Sequence, residues 1–269
     1  MKVKLPYEIR RALQFAFAIL TGVSTVASLC GYSIKDIDTK VSWWKYTLVL
    51  LGVYVILTVI IYFVLNSRKH KPYGTKINGN KVKIFAGDIF SFNGWKLIPF
   101  NERFDTLVDD KIIAHNTLHG MMVDNYANLD ELDNIIKLAA DEPSRLRRDR
   151  KNRYPLGRII VYKDFLLLAF THFDDQNRAY VGIDEYESIL LNMWAEIRRV
   201  YAAKPIAIPL LGGGITTING TRYKDYTELL KCILCTLRRS NFQSVEEISI
   251  ILTDKVLKEV DMNRIKEVF

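Results

Sequence analysis

Two apolar runs dominate the hydropathy pattern of this chain. Trp43 to Leu65 reads WWKYTLVLLGVYVILTVIIYFVL, and past Lys45 it is about twenty uncharged residues, enough for a helix rising ~1.5 Å per residue to cross a hydrocarbon core of ~30 Å. Trp43, Trp44, Tyr46 and Tyr62 stand near its ends, where aromatic rings favour the membrane interface. Ala12 to Cys30, ALQFAFAILTGVSTVASLC, is also uncharged but is diluted by Thr21, Ser24, Thr25 and Ser28. A signal peptide is the competing reading of this first run. Against it, a second span follows, not a mature domain. The small and hydroxyl residues of the first run would permit close helix approach and hairpin self-association.

Beyond residue 66 the periodicity changes. Asn66 to Asn80 is polar and basic, with Pro72, Gly74 and Gly79, and reads as a linker over 67–80. Lys81 to Ala86 alternates as a strand, and Trp95 to Phe100 is a second. Leu129 to Ala140 carries apolar residues on one helical face. Arg158–Val161 and Phe165–Phe170 flank Tyr162-Lys163-Asp164 as a hairpin. Asp184 to Ala203 reads as a helix with Asp184 as its N-cap. Ile206 to Leu211 is a short buried strand, Tyr226 to Arg239 a helix, Glu247 to Leu252 a last strand, and Val256 to Val268 a terminal helix. Strands alternating with helices predict a mixed α/β sandwich over 81–269, behind a two-span region over 1–66.

Charge then sets orientation. Lys2, Lys4, Arg10 and Arg11 precede the first span and Arg68, Lys69 and Lys71 follow the second, whereas the loop Tyr32–Ser42 is balanced. Positive flanks stay inside, so both termini and the α/β part are expected on the cytoplasmic side of a cell inner membrane. Overall, 38 Lys and Arg against 30 Asp and Glu give +8, which suits phosphate ligands, anionic lipid or nucleic acid without choosing among them. Nucleic acid is not expected, because the basic run Arg145–Arg153 has no aromatic interleaving; a solvated loop or a lipid contact suits it better. The three cysteines do not make a secreted disulfide framework, and Cys232 and Cys235 read as buried small residues of a helix. His115 and His119 have helical metal spacing, but Gly120 and the lack of a following glutamate argue against zinc. No metal and no cofactor is expected.

The candidate chemistry lies at Lys204 to Thr217, KPIAIPLLGGGITT. A buried strand that ends in Gly212, Gly213 and Gly214 lets backbone N–H groups converge on an anion such as a diphosphate. A plain tight turn is the other reading, and this stretch alone does not separate them.

The strand 81–86 running into Gly87-Asp88-Ile89, the strand Trp95–Asn101, and the late run Pro209-Leu210-Leu211-Gly212-Gly213-Gly214-Ile215 together resemble a macro domain, over about residues 81 to 269. The resemblance implies a macro-domain-like three-layer sandwich with a mixed sheet. It also implies that Asp88, with Ile89 beside it, accepts from an adenine amino group, and that the Leu211–Ile215 loop holds a diphosphate and distal ribose. With two membrane spans in front, and with PFNERFDTLVDD and a later LHG, the arrangement resembles the membrane effectors of type II Thoeris anti-phage defence. That likeness implies an ADP-ribose derivative as ligand, namely histidine–ADP-ribose made from NAD by a TIR-domain partner, and membrane disruption by hairpins that assemble as a homo-oligomer. Hydrolytic macro domains carry Asn-Ala-Ala-Asn and a glycine run in the first loop. Here only Asn101 remains, so a binding sensor that is not an enzyme is expected, with Asn101, Phe104, Asp105, His119 and Gly120 at the distal end. A membrane-tethered ADP-ribosyl hydrolase and a passive ADP-ribose-binding scaffold are the alternatives.

Overall fold

A computed structural model describes residues 7–30, 43–139, 149, 153–174, 176, 178–218, 220–221 and 225–269. The chain divides into two compact units, Met1–Lys69 and His70–Phe269. The expected loop Tyr32–Ser42 and most of the basic run Arg145–Arg153 lie outside the described residues.

The first unit is a helical hairpin, α1 (Tyr7–Leu29) and α2 (Trp43–Arg68). Ala12 and Ala16, one turn apart, are fully buried, and the Tyr54 hydroxyl of α2 donates to the Leu13 carbonyl of α1 at 3.2 Å. Small side chains let the two backbones approach at this point. Thr21 and Thr25 satisfy their hydroxyls within their own helix, on the carbonyls of Phe17, Ala18 and Thr21. Glu8 and Lys69 form an ion pair that ties the start of α1 to the residue after α2. By length and composition both helices can cross a membrane: Glu8–Leu29 has a mean hydropathy of 1.7 and Trp44–Ser67 of 2.9. Phe17, Val23, Val26 and Leu29 of α1 and Leu48, Val49, Ile56 and Phe63 of α2 are exposed, an apolar surface that suits hydrocarbon and is costly in water.

The second unit is built on a mixed sheet of nine strands among the described residues: β1 (Tyr73–Ile77), β2 (Asn80–Ala86), β3 (Trp95–Asn101), β4 (Ile159–Tyr162), β5 (Phe165–Phe173), β6 (Ala179–Val181), β7 (Ile206–Pro209), β8 (Thr217–Ile218) and β9 (Ile248–Leu252). Their order is β1-β2-β9-β7-β3-β5-β6-β8, with β4 paired to β5. The five strands β2, β9, β7, β3 and β5 run parallel, and β1 and β4 are antiparallel additions. Every residue of β7 and β9 is buried, as are the first seven of β5. Burial at successive positions means that both faces of the sheet are covered, the layered arrangement that the pattern of elements predicts. The helices are α3 (Leu118–Tyr126), α4 (Leu129–Ala139), α5 (Ile183–Val200), α6 (Tyr226–Arg239), α7 (Asp254–Glu259) and α8 (Met262–Lys266). Trp194 of α5, fully buried, stacks on Phe242 and donates to Thr236 of α6 at 3.1 Å.

Several expectations need correction. The linker expected over 67–80 contains strand β1, paired with β2 through Tyr73↔Ile84 to Ile77↔Asn80. Asn78 and Gly79 form a two-residue hairpin turn with positive φ values of 47° and 83°, as Asn-Gly does. Only residues 69–72 connect α2 to β1. Gly182, not Asp184, caps α5: its N–H donates to Glu185 Oε2 at 3.2 Å. The expected terminal helix is two short ones, because the Asp261 carboxylate accepts from the N–H groups of Asn263 and Arg264 and starts a new helix there. Leu118-His119-Gly120, where Gly120 argues against a helix in the zinc reading, is the first turn of α3, capped by Thr117, whose hydroxyl accepts from Gly120 N at 3.0 Å. Cys232 and Cys235 are half-buried on α6, and burial holds the Cys232 thiol up at about 11.

Candidate ligand site

The C-terminal ends of the five parallel strands open on one cavity of about 860 Å³. Open α/β sheets bind ligands at this edge, where strands stop and loops diverge. The sheet order places the lining residues in sequence across the cavity: Asp88 after β2, Thr253 after β9, Leu210–Thr216 after β7, Asn101 at the end of β3, and Thr171 on β5. At ~4.8 Å per strand, β2 and β3 are separated by roughly 14 Å.

At the β2 end the chain is held by Gly87 N–H, which donates to Leu252 O at 3.0 Å. Asp88 follows in an Asx turn: its Oδ1 accepts from Phe90 N at 2.9 Å, and its carbonyl accepts from the Ser91 hydroxyl at 2.8 Å. Among the described residues Oδ2 has no hydrogen-bond partner, and the residue is exposed at the cavity wall. Ile89 is buried beneath it. The Asp88 loop leans on α3 through Phe90, which stacks on Tyr126 at 4.9 Å between ring centroids.

In the middle, β7 stops at Pro209 and the chain turns: Gly213 N donates to Leu210 O at 3.2 Å, and Gly212 sits at φ 79°. The buried Tyr186 hydroxyl of α5 donates to the Leu211 carbonyl at 2.8 Å. Among the described residues the N–H groups of Gly212, Gly214 and Ile215 have no acceptor. A Cβ on Gly214 would meet nothing within 4 Å, so that glycine keeps open the space above the loop. Unpaired N–H groups beside an open backbone are the form of an anion cradle.

At the β3 end a buried constellation replaces a simple wall. The Asn101 carboxamide oxygen accepts from Arg103 N and Asp105 N at 3.0 and 3.2 Å, and its nitrogen donates to Asp105 Oδ2 at 2.8 Å. These bonds close a tight loop in which Phe104 adopts φ 55° and buries its ring between Phe100 and Tyr154. The loop presents the Asp105 carbonyl to His119 Nε2 at 2.9 Å. His119 is buried against Phe100, with ring centroids 3.5 Å apart, and burial depresses its basicity to about 3. A carbonyl can only accept, so Nε2 carries the proton and Nδ1 of the neutral ring is an acceptor.

Asp88, Ile89, Asn101, His119, Leu211, Gly212, Gly213, Gly214 and Ile215 therefore all line one cavity. Phe104, Asp105 and Gly120 do not line it. Phe104 fills the core, Asp105 turns its polar groups to Asn101 and His119, and Gly120 packs so tightly that a Cβ would lie 2.3 Å from Ala114 O. Thr253, Lys255, Thr171 and Phe173 belong to the lining and went unrecognised in the sequence; the signal available was their place just after, or at the end of, apolar strands. Glu102 also turns away, accepting a 2.6 Å hydrogen bond from His172 Nδ1, whose other nitrogen lies 3.4 Å from Glu185. His115 pairs with Asp124 at 2.6 Å, so His115 and His119 take separate partners.

A mixed sheet with an acid after its first parallel strand and a glycine loop at its middle, both facing one cavity, defines a macro domain. Residues 82–253 match the family model "Thoeris protein ThsA, Macro domain". The chain is 35% identical over 279 residues to "Thoeris protein ThsA" of Bacillus amyloliquefaciens (strain Y2), covering 96% of this chain and 88% of that protein. This chain belongs to the Thoeris ThsA family. Among solved structures it is similar to the Oceanobacillus iheyensis macrodomain with ADP (14% identity, 74% of this chain and 98% of that one, TM-score 0.47) and to a mutant of it with ADPR (16% identity, 74% and 98%, TM-score 0.41).

Proposed function

We propose that this chain is a nucleotide-gated membrane effector of anti-phage defence. Its macro domain binds an ADP-ribose-derived signal, histidine–ADP-ribose made by a TIR-domain enzyme, without turning it over. The observation that carries this reading is the order of features along the cavity: a carboxylate acceptor, a glycine cradle and a polar distal pocket, in the order base, diphosphate, terminal sugar. The roughly 14 Å from β2 to β3 and the volume of about 860 Å³ suit a nucleoside diphosphate that carries a further group. Membership in the Thoeris ThsA family supports the defence role.

Binding changes how the cytosolic domains associate, and the short connection of residues 69–72 passes that change to the hairpins, which gather as a homo-oligomer and breach the inner membrane. The bonds that hold the Asn101 carboxamide in its loop favour a sensor over a hydrolase, because the group is already engaged and is poorly placed to orient water. Full-length protein in liposomes should become leaky on addition of the conjugate. Equal leakage with and without it sinks the gating, and release of free ADP-ribose from an ADP-ribosylated substrate would favour the hydrolase. For topology, exposed Cys30 should react with an impermeant thiol reagent added outside intact spheroplasts; protection there and reaction from the inside would reverse the orientation.

A further inference from the structure

The polar constellation at the β3 end has a direction. Asn101 holds the loop, the loop aims the Asp105 carbonyl, and that carbonyl takes the proton of His119 Nε2. The Phe100 ring fixes the imidazole plane, and the tight seat of Gly120 under Ala114 fixes the first turn of α3. The result is a neutral imidazole at the cavity wall with one tautomer imposed, and its Nδ1 has no hydrogen-bond partner among the described residues. Nδ1 is not one of the sealed side-chain atoms, so a hydrogen-bond donor on a ligand in the cavity can reach it.

We propose that His119 Nδ1 is a specificity-determining acceptor that reads a hydrogen-bond donor on the terminal group of the ligand, beyond the diphosphate. Asn101 and Asp105 are its positioning residues. The inference rests on the binding of a nucleoside diphosphate derivative by this cavity and deepens it. The site asks for a donor at the distal end, a hydroxyl or an amine N–H, and disfavours a terminal phosphate at that position, which would set lone pair against lone pair. Among the described residues, the charged side chains of the lining, Asp88 and Lys255, come from the β2 and β9 side.

Calorimetry on the full-length protein in nanodiscs tests this with two probes. ADP-ribose carries terminal-ribose hydroxyls; ADP ends at the diphosphate. Two variants separate recognition from architecture. The amide nitrogen of His119→Gln reaches the Nε2 position and can keep the bond to the Asp105 carbonyl while losing the acceptor at Nδ1; the shorter amide of His119→Asn places its oxygen near the Nδ1 position. The expected result is that wild type prefers ADP-ribose, that His119→Gln loses about ten-fold on ADP-ribose with ADP unchanged, the scale of one hydrogen bond, and that His119→Asn retains part of the preference. The opposite rank, with Gln near wild type and Asn defective, assigns His119 a structural role and overturns the proposal. So does an equal loss on both probes. Wild type that binds neither probe overturns the nucleotide reading and this inference with it, whereas normal ADP-ribose binding by both variants overturns this inference alone. Thermal melts of each variant identify any that fails to fold, and the remaining variant still decides.

Discussion

The Tyr186 hydroxyl donates to the backbone oxygen of Leu211 across 2.8 Å, with the ring buried and only 5% exposed. Burial pushes the phenol well above its ordinary value, so it remains a donor at every physiological pH. The bond pins the first residue of the glycine loop to α5, whose own start is fixed by the Glu185–Gly182 cap next door. Helix and loop are thereby joined by a buried hydrogen bond. Tyr186→Phe leaves the Leu211 carbonyl without its partner in a dry place. It should cost about 1–3 kcal/mol in chemical denaturation and weaken ADP-ribose binding several-fold. Unchanged binding with reduced stability would mean that the loop holds its shape without the anchor.

The glycines of that loop should respond differently to the same change. Gly212 has φ 79° and only ordinary contacts around a built Cβ, so Gly212→Ala suffers the left-handed backbone cost of about 1–2 kcal/mol. Gly214 has open space and no such conformation. Gly214→Ala should therefore be neutral in a thermal melt and still lose most of its nucleotide affinity, because the new methyl occupies the space through which a diphosphate approaches. Melts and titrations of the pair check this; the idea fails if Gly214→Ala binds as wild type does.

Asp88 serves two tasks with two oxygens, and Asp88→Asn separates them. The carboxamide oxygen can keep the Asx turn to Phe90 N, leaving stability unchanged. The other position then becomes an NH2 donor facing a ligand donor. Binding of ADP-ribose should fall as far in Asp88→Asn as in Asp88→Ala, while only the alanine variant loses loop stability. Wild-type affinity in Asp88→Asn would remove the carboxylate from base recognition.

His119 also sets a pH dependence of stability. Its folded basicity is depressed from 6.5 to about 3, so between those values the unfolded chain binds a proton that the folded chain refuses. Its neutral seat carries no penalty above pH 6.5, and stability falls as pH drops from there toward 3, by up to about 1.4 kcal/mol per pH unit from this one group. Denaturation midpoints measured from pH 7.5 to 4.5 should show this slope in wild type and a shallower one in His119→Gln. An identical slope in both would place the acid sensitivity elsewhere.

The two long apolar helices were legible because hydropathy is a local property: Trp43–Leu65 needs no partner to declare itself. Most strands of the second unit were legible for a similar reason, since β3, β7 and β9 are short, mainly apolar runs and β2 alternates apolar and polar residues. Their caps were less so. Asp184 has the residue type of an N-cap, yet Gly182 takes the position because Glu185 reaches back to its N–H. Strand β1 hid in a basic, glycine-bearing stretch, and only pairing with β2 gives Tyr73–Ile77 a reason to extend.

The distal pocket marks the limit. By residue type, Phe104, Asp105 and His119 looked alike as candidates, and only the folded loop separates them: one fills the core, one aims a carbonyl, one faces the cavity. The sequence by itself determined the two long apolar helices, the short strand that runs into three glycines and the acid that follows β2 at Asp88, since these depend on residue type and near neighbours. Tertiary structure decided that β9 and β7 are inserted between β2 and β3, which spaces Asp88, the glycine loop and His119 along one cavity. Parallel strands pair across long stretches of chain, and no local pattern encodes which edge meets which.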